Sequence, residues 1–207
     1  MSAPASLAKQ IAHSHKLASD QVTAQQVELV LGELERVHNN DVSGDVVELG
    51  CYVGTTSVFI RRLLDATHQN RAFHVYDSFE GLPPKTAQDS SGAGEDFKAG
   101  ELAVSKKQFM QTFARAGLAA PIVHKAWFAE LTADDVPKKI AFAFLDGDFY
   151  ESIRDSLQLV VPRMSKGGTI VVDDYAREAL PGAAKAVHEY FAPELVQTSH
   201  NMGILRL

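Results

Sequence analysis

The chain has 207 residues, 45% of them hydrophobic and 22% charged, with a net charge of -6. This is an ordinary globular composition, and its acidic balance argues against a nucleic-acid-binding surface, which needs clustered Lys and Arg. A single cysteine, Cys51, excludes a disulfide framework and a cysteine-based zinc site, and no apolar run approaches the ~20 residues that span a bilayer. The stretch from Met1 to His15 lacks the apolar core of a signal peptide, so a cytoplasmic location is expected. In chain order, residues 4–18 and 22–38 read as two helices. In the second, Val27, Val30, Leu31, Leu34 and Val37 recur at helical spacing. The turn-rich run from Asn39 to Gly44 ends it. From Asp45 a regular alternation begins. Strands are expected at 45–50, 71–77, 121–125, 140–146 and 167–173, and helices at 54–67, 104–117, 149–162 and 181–192. Short apolar pieces at 194–198 and 203–207 add two final strands. Pro181 suits a first helical turn, where a missing N–H costs nothing. Strands alternating with helices imply right-handed parallel crossovers and a doubly wound α/β sheet. The expected organisation is an N-terminal helical extension over 1–43 and one domain over 44–207.

Residues 82–103 interrupt the alternation with two prolines, three glycines and mixed charges. A polar segment of this length inside a compact domain is a working lid or a tolerated insertion. Its place after a strand end, on the ligand side of the sheet, favours a lid. The helix 22–38 is amphipathic, so it covers its own sheet or pairs with a second subunit, and a homodimer is expected.

Two acidic clusters carry the chemistry. Asp146 and Asp148 follow the apolar run Ile140–Leu145, and Asp173 and Asp174 follow Gly168–Val172. Such continuous runs suit central parallel strands buried on both faces, and ligands bind at the carboxyl ends of those strands. Three carboxylates converging there repel and protonate unless a cation neutralises them. Oxygen-only ligands suit a hard divalent ion, Mg²⁺ before Zn²⁺. The plainer alternative is that the aspartates cap the helices that follow. After the first strand comes Glu48-Leu49-Gly50-Cys51-Tyr52-Val53-Gly54-Thr55-Thr56. The glycines permit a tight turn and close backbone approach. Asp77 ends the next strand, where a carboxylate accepts from both ribose hydroxyls of an adenosine moiety. Both NAD and S-adenosylmethionine satisfy this pattern. Trp127 and Phe128 either stack on adenine or pack the sheet edge. His74 and His124 read as packed strand histidines, and Cys51 reads as a small packing residue. Tyr150 and Tyr175 face the acceptor or pack their helices.

The loop Glu48–Gly54 resembles the cofactor loop of S-adenosylmethionine-dependent methyltransferases of the catechol O-methyltransferase style. The strings Tyr76-Asp77-Ser78-Phe79-Glu80-Gly81-Leu82-Pro83, Leu145-Asp146-Gly147-Asp148-Phe149-Tyr150-Glu151-Ser152 and Gly167 through Tyr175 are similar to macrocin-type O-methyltransferases, which methylate sugar hydroxyls. The resemblance covers most of residues 44–190. It implies a Rossmann-like fold with a seven-stranded sheet and a small hydroxylated acceptor. It implies Mg²⁺ at Asp146, Asp173 and Asp174; from the residues, Asp146 or a nearby group, Asp148 among them, is the expected catalytic residue that takes the acceptor proton. Cofactor contacts are expected from Glu48, Gly50, Tyr52, Gly54, Thr56, Asp77, Ser78, Trp127 and Asp146. Where catechol-type enzymes have a lysine, three residues past the first aspartate, this chain has Phe149. Two other classes remain open from the residues: a nicotinamide-dependent oxidoreductase, and a catalytically silent binding module. The first lacks both G-x-G-x-x-G and a Tyr-x-x-x-Lys pair and leaves Asp173 and Asp174 without a task.

Overall fold

The computed structural model describes residues 6–68, 70–92 and 97–207. Its strands are β1 (Asp45–Leu49), β2 (Phe73–Asp77), β3 (Ile122–Lys125), β4 (Ile140–Leu145), β5 (Met164–Val172), β6 (Gln197–Ser199) and β7 (Met202–Arg206). Its helices are α1 (Leu7–Ser14), α2 (Ala24–Asn39), α3 (Thr55–Ala66), α4 (Lys106–Ala116), α5 (Tyr150–Val160) and α6 (Pro181–His188). The sheet order is β3-β2-β1-β4-β5-β7-β6. Strands β1 to β5 run parallel, and β7 is antiparallel to both β5 and β6. The doubly wound expectation therefore holds, with an antiparallel pair closing one side. The chain leaves β1 toward β2 and β3, then returns to β4 on the other flank. The β1–β4 boundary is thus the switch point where such sheets hold ligands.

Period-two alternation divides the core between the two faces of the sheet. Val46, Phe73, Val75, Phe142 and Phe144 pack with α1 to α4. Val47, Leu49, Tyr76, Ala143 and Leu145 pack with α5 and α6. Local signals set several boundaries. Thr23 with Gln26, and Ser105 with Gln108, form capping boxes that start α2 and α4. His200 (φ 49°) and Asn201 (φ 66°) form a two-residue turn between β6 and β7, the left-handed pair that matches strand twist.

The first helix is shorter than its pattern predicts. It ends at Ser14, whose hydroxyl turns back to the Gln10 carbonyl (2.5 Å), and residues 15–23 are irregular. Residues 4 and 5 of the prediction lie outside the described residues. The irregular segment instead buries Val22 and bonds the Ser19 hydroxyl to the Thr55 hydroxyl (2.9 Å), so tertiary contacts override helical periodicity. α6 likewise stops at His188 rather than at 192, and Pro193–Leu195 is a 3-10 turn that delays β6 to Gln197.

α2 is tied to the sheet by a charged network. The Glu33 carboxylate accepts from Arg36 (3.1 Å) and twice from Arg206 (3.0 and 2.5 Å). Arg36 also donates to the Gly167 carbonyl (3.2 Å) and to the Thr169 hydroxyl. Burial alone would raise the Glu33 pKa, but Arg206 and Arg36 outweigh it and hold it low. Glu33→Ala is expected to cost ~1 kcal/mol in urea denaturation, because it removes ion pairs whose arginine partners are partly exposed. That difference should shrink as the pH falls through the carboxylate range, where a depressed group loses its contribution.

Candidate functional site

Four strand tips meet around one cavity of about 360 Å³. At each tip a non-glycine residue adopts positive φ: Tyr52 (48°) after β1, Phe79 (56°) after β2, Asp148 (59°) after β4 and Asp174 (53°) after β5. Backbone of this kind concentrates where side chains must be aimed at a ligand.

After β1, Gly50 (φ +91°) donates its N–H to the Tyr76 carbonyl (2.9 Å), and a Cβ there would lie 1.9 Å from the Asp146 carbonyl oxygen. Gly54 (φ +86°) starts α3, and a Cβ there would meet the Phe109 ring at 2.8 Å. Gly50 lines the cavity; Gly54 is not among its lining residues. Both glycines thus make room for protein atoms, where the sequence suggested room for a ligand. The Asp77 carboxylate closes this loop: one oxygen accepts from Cys51 N–H (2.9 Å) and Tyr52 N–H (3.2 Å), the other from Phe79 N–H (2.7 Å). The Cys51 thiol also reaches the first oxygen (3.4 Å), so the lone pair left for a ligand is on the oxygen that accepts only from Phe79.

The other tips are acidic. Glu48 is buried and accepts from the Ser57 hydroxyl (2.5 Å). Burial, with Asp77 adding, pushes its carboxyl up to about 8. Burial and then Asp173, Asp148, Asp174 and Glu48 raise Asp146 far above the carboxylate range. Asp173 is pushed up to about 7 by burial and then by Asp174. Burial also raises Asp148, to about 8, with Asp174 next. Asp174 is raised by burial and held back by Arg177, whose Nη1 lies 3.2 Å from its Oδ1. Gln26 Nε2 reaches Asp173 at 3.5 Å. Arg177 is the one cation among the described residues lining this cavity.

This donor set, all oxygen and short of cations, fits a hard divalent ion by its chemistry. Among the described residues, though, no three metal-ligating side chains are grouped to hold an ion. Burial and the Asp173 charge instead raise Asp146, and Asp174 turns to Arg177. That is the expected arrangement of an acidic cluster that relieves its repulsion with protons and a guanidinium.

Of the sequence-predicted residues, Glu48, Gly50, Tyr52, Thr56, Asp77, Ser78, Trp127, Asp146, Asp173 and Asp174 all line the cavity. The pattern missed Ser19, Gln21 and Val22 from the 15–23 segment, Arg177, and Phe97 and Leu102 from the 82–103 segment. The Thr23 capping box was the one local signal that the first helix had to end before it. Residues 93–96 of the expected lid lie outside the described residues. The remainder is docked. Leu82 exchanges backbone bonds with Glu101 and Gly100 (both 2.9 Å). Buried Asp89 accepts from Thr86 N–H (2.8 Å) and caps α5 at Tyr150 N–H (2.7 Å). Leu82, Phe149 and Leu180 form a small core with Phe97 and Leu102, and Arg177 lies 4.8 Å from the Phe97 ring centre.

Other tempting residues have packing roles. His74 and His124 bond each other (3.1 Å) and stack with Tyr76. Burial raises the Cys51 thiol far from reactivity. Tyr150 bonds Glu189, and Tyr175 bonds His188 (2.7 Å). No described helix is long and apolar enough to cross a membrane.

Residues 10–202 match the family model described as macrocin-O-methyltransferase (TylF). The 8-demethyl-8-(2,3-dimethoxy-alpha-L-rhamnosyl)-tetracenomycin-C 4'-O-methyltransferase of Streptomyces olivaceus is 37% identical over 165 residues, covering 76% of this chain and 61% of that protein. The mycinamicin III 3''-O-methyltransferase of Micromonospora griseorubida is 32% identical over 165 residues, covering 76% and 64%. The chain thus spans less than two thirds of the length of these curated relatives. Among solved structures, the O-methyltransferase NovP is similar at a TM-score of 0.75 and 29% identity, over 89% of this chain and 80% of that one.

Proposed function

The chain belongs to the macrocin O-methyltransferase family, and we propose that it methylates a hydroxyl of a small polyhydroxylated acceptor, a sugar or natural-product diol, from S-adenosylmethionine. The observation that carries this reading is one cavity holding both the Gly50 loop closed on Asp77 and the acidic tips Asp146, Asp173 and Asp174. The curated relatives named above are sugar and natural-product O-methyltransferases.

The reaction is a single in-line displacement at carbon. The sulfonium sulfur keeps the electron pair of the breaking bond, the hydroxyl oxygen forms the new bond, and the hydroxyl proton leaves. The bound donor supplies the electrophilic methyl, and Mg²⁺ held by Asp146, Asp173 and Asp174 would acidify the acceptor hydroxyl. Asp77 accepts from one ribose hydroxyl with its remaining lone pair, and Trp127 covers the base. Glu48 ionises against a cationic ligand, because an opposite charge offsets the burial that otherwise keeps it protonated. Asp146, or Asp148 beside it, receives the acceptor proton. Ser19, Gln21 and Val22 on one side and Phe97 and Leu102 on the other exclude water. Holding both partners in attack geometry contributes roughly 7–11 kcal/mol.

Calorimetry of S-adenosylhomocysteine binding tests this first. Wild type is expected to bind, and Asp77→Ala to bind ~10–100-fold more weakly, the loss of a charged hydrogen bond. Screening vicinal-diol glycosides with Mg²⁺ and then with chelator tests the metal. No binding by wild type in either condition removes the reading.

A further inference from the structure

The acidic tips of the cavity face a single cation among its described lining residues, Arg177. Its place is fixed from two directions. Along the chain, Arg177 N–H donates to the Asp174 carbonyl (3.1 Å) and the Arg177 carbonyl accepts from Leu180 N–H (3.0 Å), a turn that brings the side chain back to the end of β5. Through space, Nη1 donates to Asp174 Oδ1 (3.2 Å), and the guanidinium carbon lies 4.8 Å from the centre of the Phe97 ring. Leu180, at the end of that turn, belongs to the small core against which Phe97 packs.

The two ends of the ion pair differ in exposure. The Asp174 side chain is 9% exposed and the Arg177 side chain 42%. A buried carboxylate needs a partner, and among the described residues Arg177 is the one side chain hydrogen-bonded to it. The half-exposed guanidinium, by contrast, is already in reach of water and leaves at small cost. Burial raises Asp148 and Asp173, and the Arg177 charge opposes that rise at both, so the guanidinium serves three carboxyls. A guanidinium and a hard divalent ion draw on the same carboxylate lone pairs. Two cations sharing one carboxylate, ~4 Å apart, also repel each other. Occupation by one therefore weakens the hold of the other.

We propose that Arg177 is a positioning residue: it holds Asp174 in the ligand-free protein and must release that carboxylate for Mg²⁺ to bind, so the Arg177–Asp174–Phe97 contact sets the affinity for the metal. The inference rests on the Mg²⁺ part of the reading above. Phe97 ties the exchange to the 82–103 segment, because its ring favours the paired arginine.

Calorimetry of Mg²⁺ binding, with S-adenosylhomocysteine present, tests this without a methyl acceptor. Arg177→Gln is expected to bind Mg²⁺ ~10-fold more tightly than wild type, since no charged hydrogen bond has to be broken first. Phe97→Leu alters no charge and keeps an apolar side chain against the small core. It should bind Mg²⁺ ~2–5-fold more tightly, the scale of a cation–π contact at an exposed site. In the double variant the Phe97→Leu gain should vanish, because the two substitutions act on one contact. An Arg177→Gln protein that binds Mg²⁺ no better than wild type overturns the inference and leaves the methyltransferase reading standing. A Phe97→Leu gain that persists in full without Arg177 does the same. Should neither wild type nor Arg177→Gln bind Mg²⁺ while both bind S-adenosylhomocysteine, the metal part of the reading falls, and this inference with it.

Discussion

From about pH 5 to about pH 8.5 the ligand-free protein is expected to lose a few kcal/mol of folding stability. The cause is the cluster of buried acids at the strand tips. Glu48 is pushed up to about 8 and Asp173 to about 7, whereas unfolded carboxyls titrate near ~4. A carboxyl whose folded pKa is raised contributes fully below its unfolded value. That contribution is lost as the pH climbs through the folded value, so the window here runs from about 4 to about 8. Raising a pKa by one is worth ~1.4 kcal/mol, which sets a ceiling of ~4–5 kcal/mol for either group. Because the acids titrate as an interacting set, the total is smaller than the sum of their ceilings. Urea denaturation over this range measures the slope. Asp146→Asn removes a buried carboxyl that its acidic neighbours also raise, and is expected to match wild type near pH 5 and exceed it near pH 8. The same substitution should abolish methyl transfer. If Mg²⁺ binds as proposed, adding it near pH 8 restores wild-type stability and leaves Asp146→Asn unmoved, a test of the proposed metal that needs no acceptor. A flat profile in wild type would sink the electrostatic account of the site.

Gly50→Ala is expected to be the most damaging glycine-to-alanine change among the described residues. The added Cβ would lie 1.9 Å from the Asp146 carbonyl oxygen and 2.7 Å from its carbon, at a φ of +91°. Neither strand can yield. Gly50 N–H is bonded to Tyr76 on β2, and Asp146 N–H is bonded to the Leu49 carbonyl at 2.8 Å. The backbone strain costs ~1–2 kcal/mol and the overpacking a further ~1–3 kcal/mol or more. Any relaxation moves Asp146 and so the carboxyl cluster with it. We expect a loss of ~4 kcal/mol in urea denaturation and no detectable S-adenosylhomocysteine binding in the folded fraction. Gly32 provides the contrast. It lies inside α2 with nothing within 4 Å of the place a Cβ would occupy, and Gly32→Ala should stabilise by ~0.5–1 kcal/mol. Equal effects at the two positions would refute the packing argument.

By itself the sequence determined the strands, the order of strands and helices, and the family. Those properties are carried by residues near one another in the chain. The run Ile140–Leu145 is apolar throughout because both faces of β4 are covered. Thr23 and Ser105 announce helix starts through bonds spanning three residues. The acids at strand ends were equally legible, since parallel strands deliver their carboxyl ends to one side of the sheet.

The tertiary structure alone decided what those residues meet. Gly50 faces the carbonyl of Asp146, a residue remote in the chain, and no local pattern states that. Asp89 reads as an ordinary loop acid, yet it caps α5 at Tyr150. Arg177 becomes the counter-charge of the acidic cavity by folding back on Asp174. Residues 15–23 look like the end of a helix and instead wall the cavity, because burying Val22 and pairing Ser19 with Thr55 outweigh one further turn. Periodicity and caps act over three or four residues, whereas shared protons, ion pairs and close packing act through space, and only the fold brings those partners together.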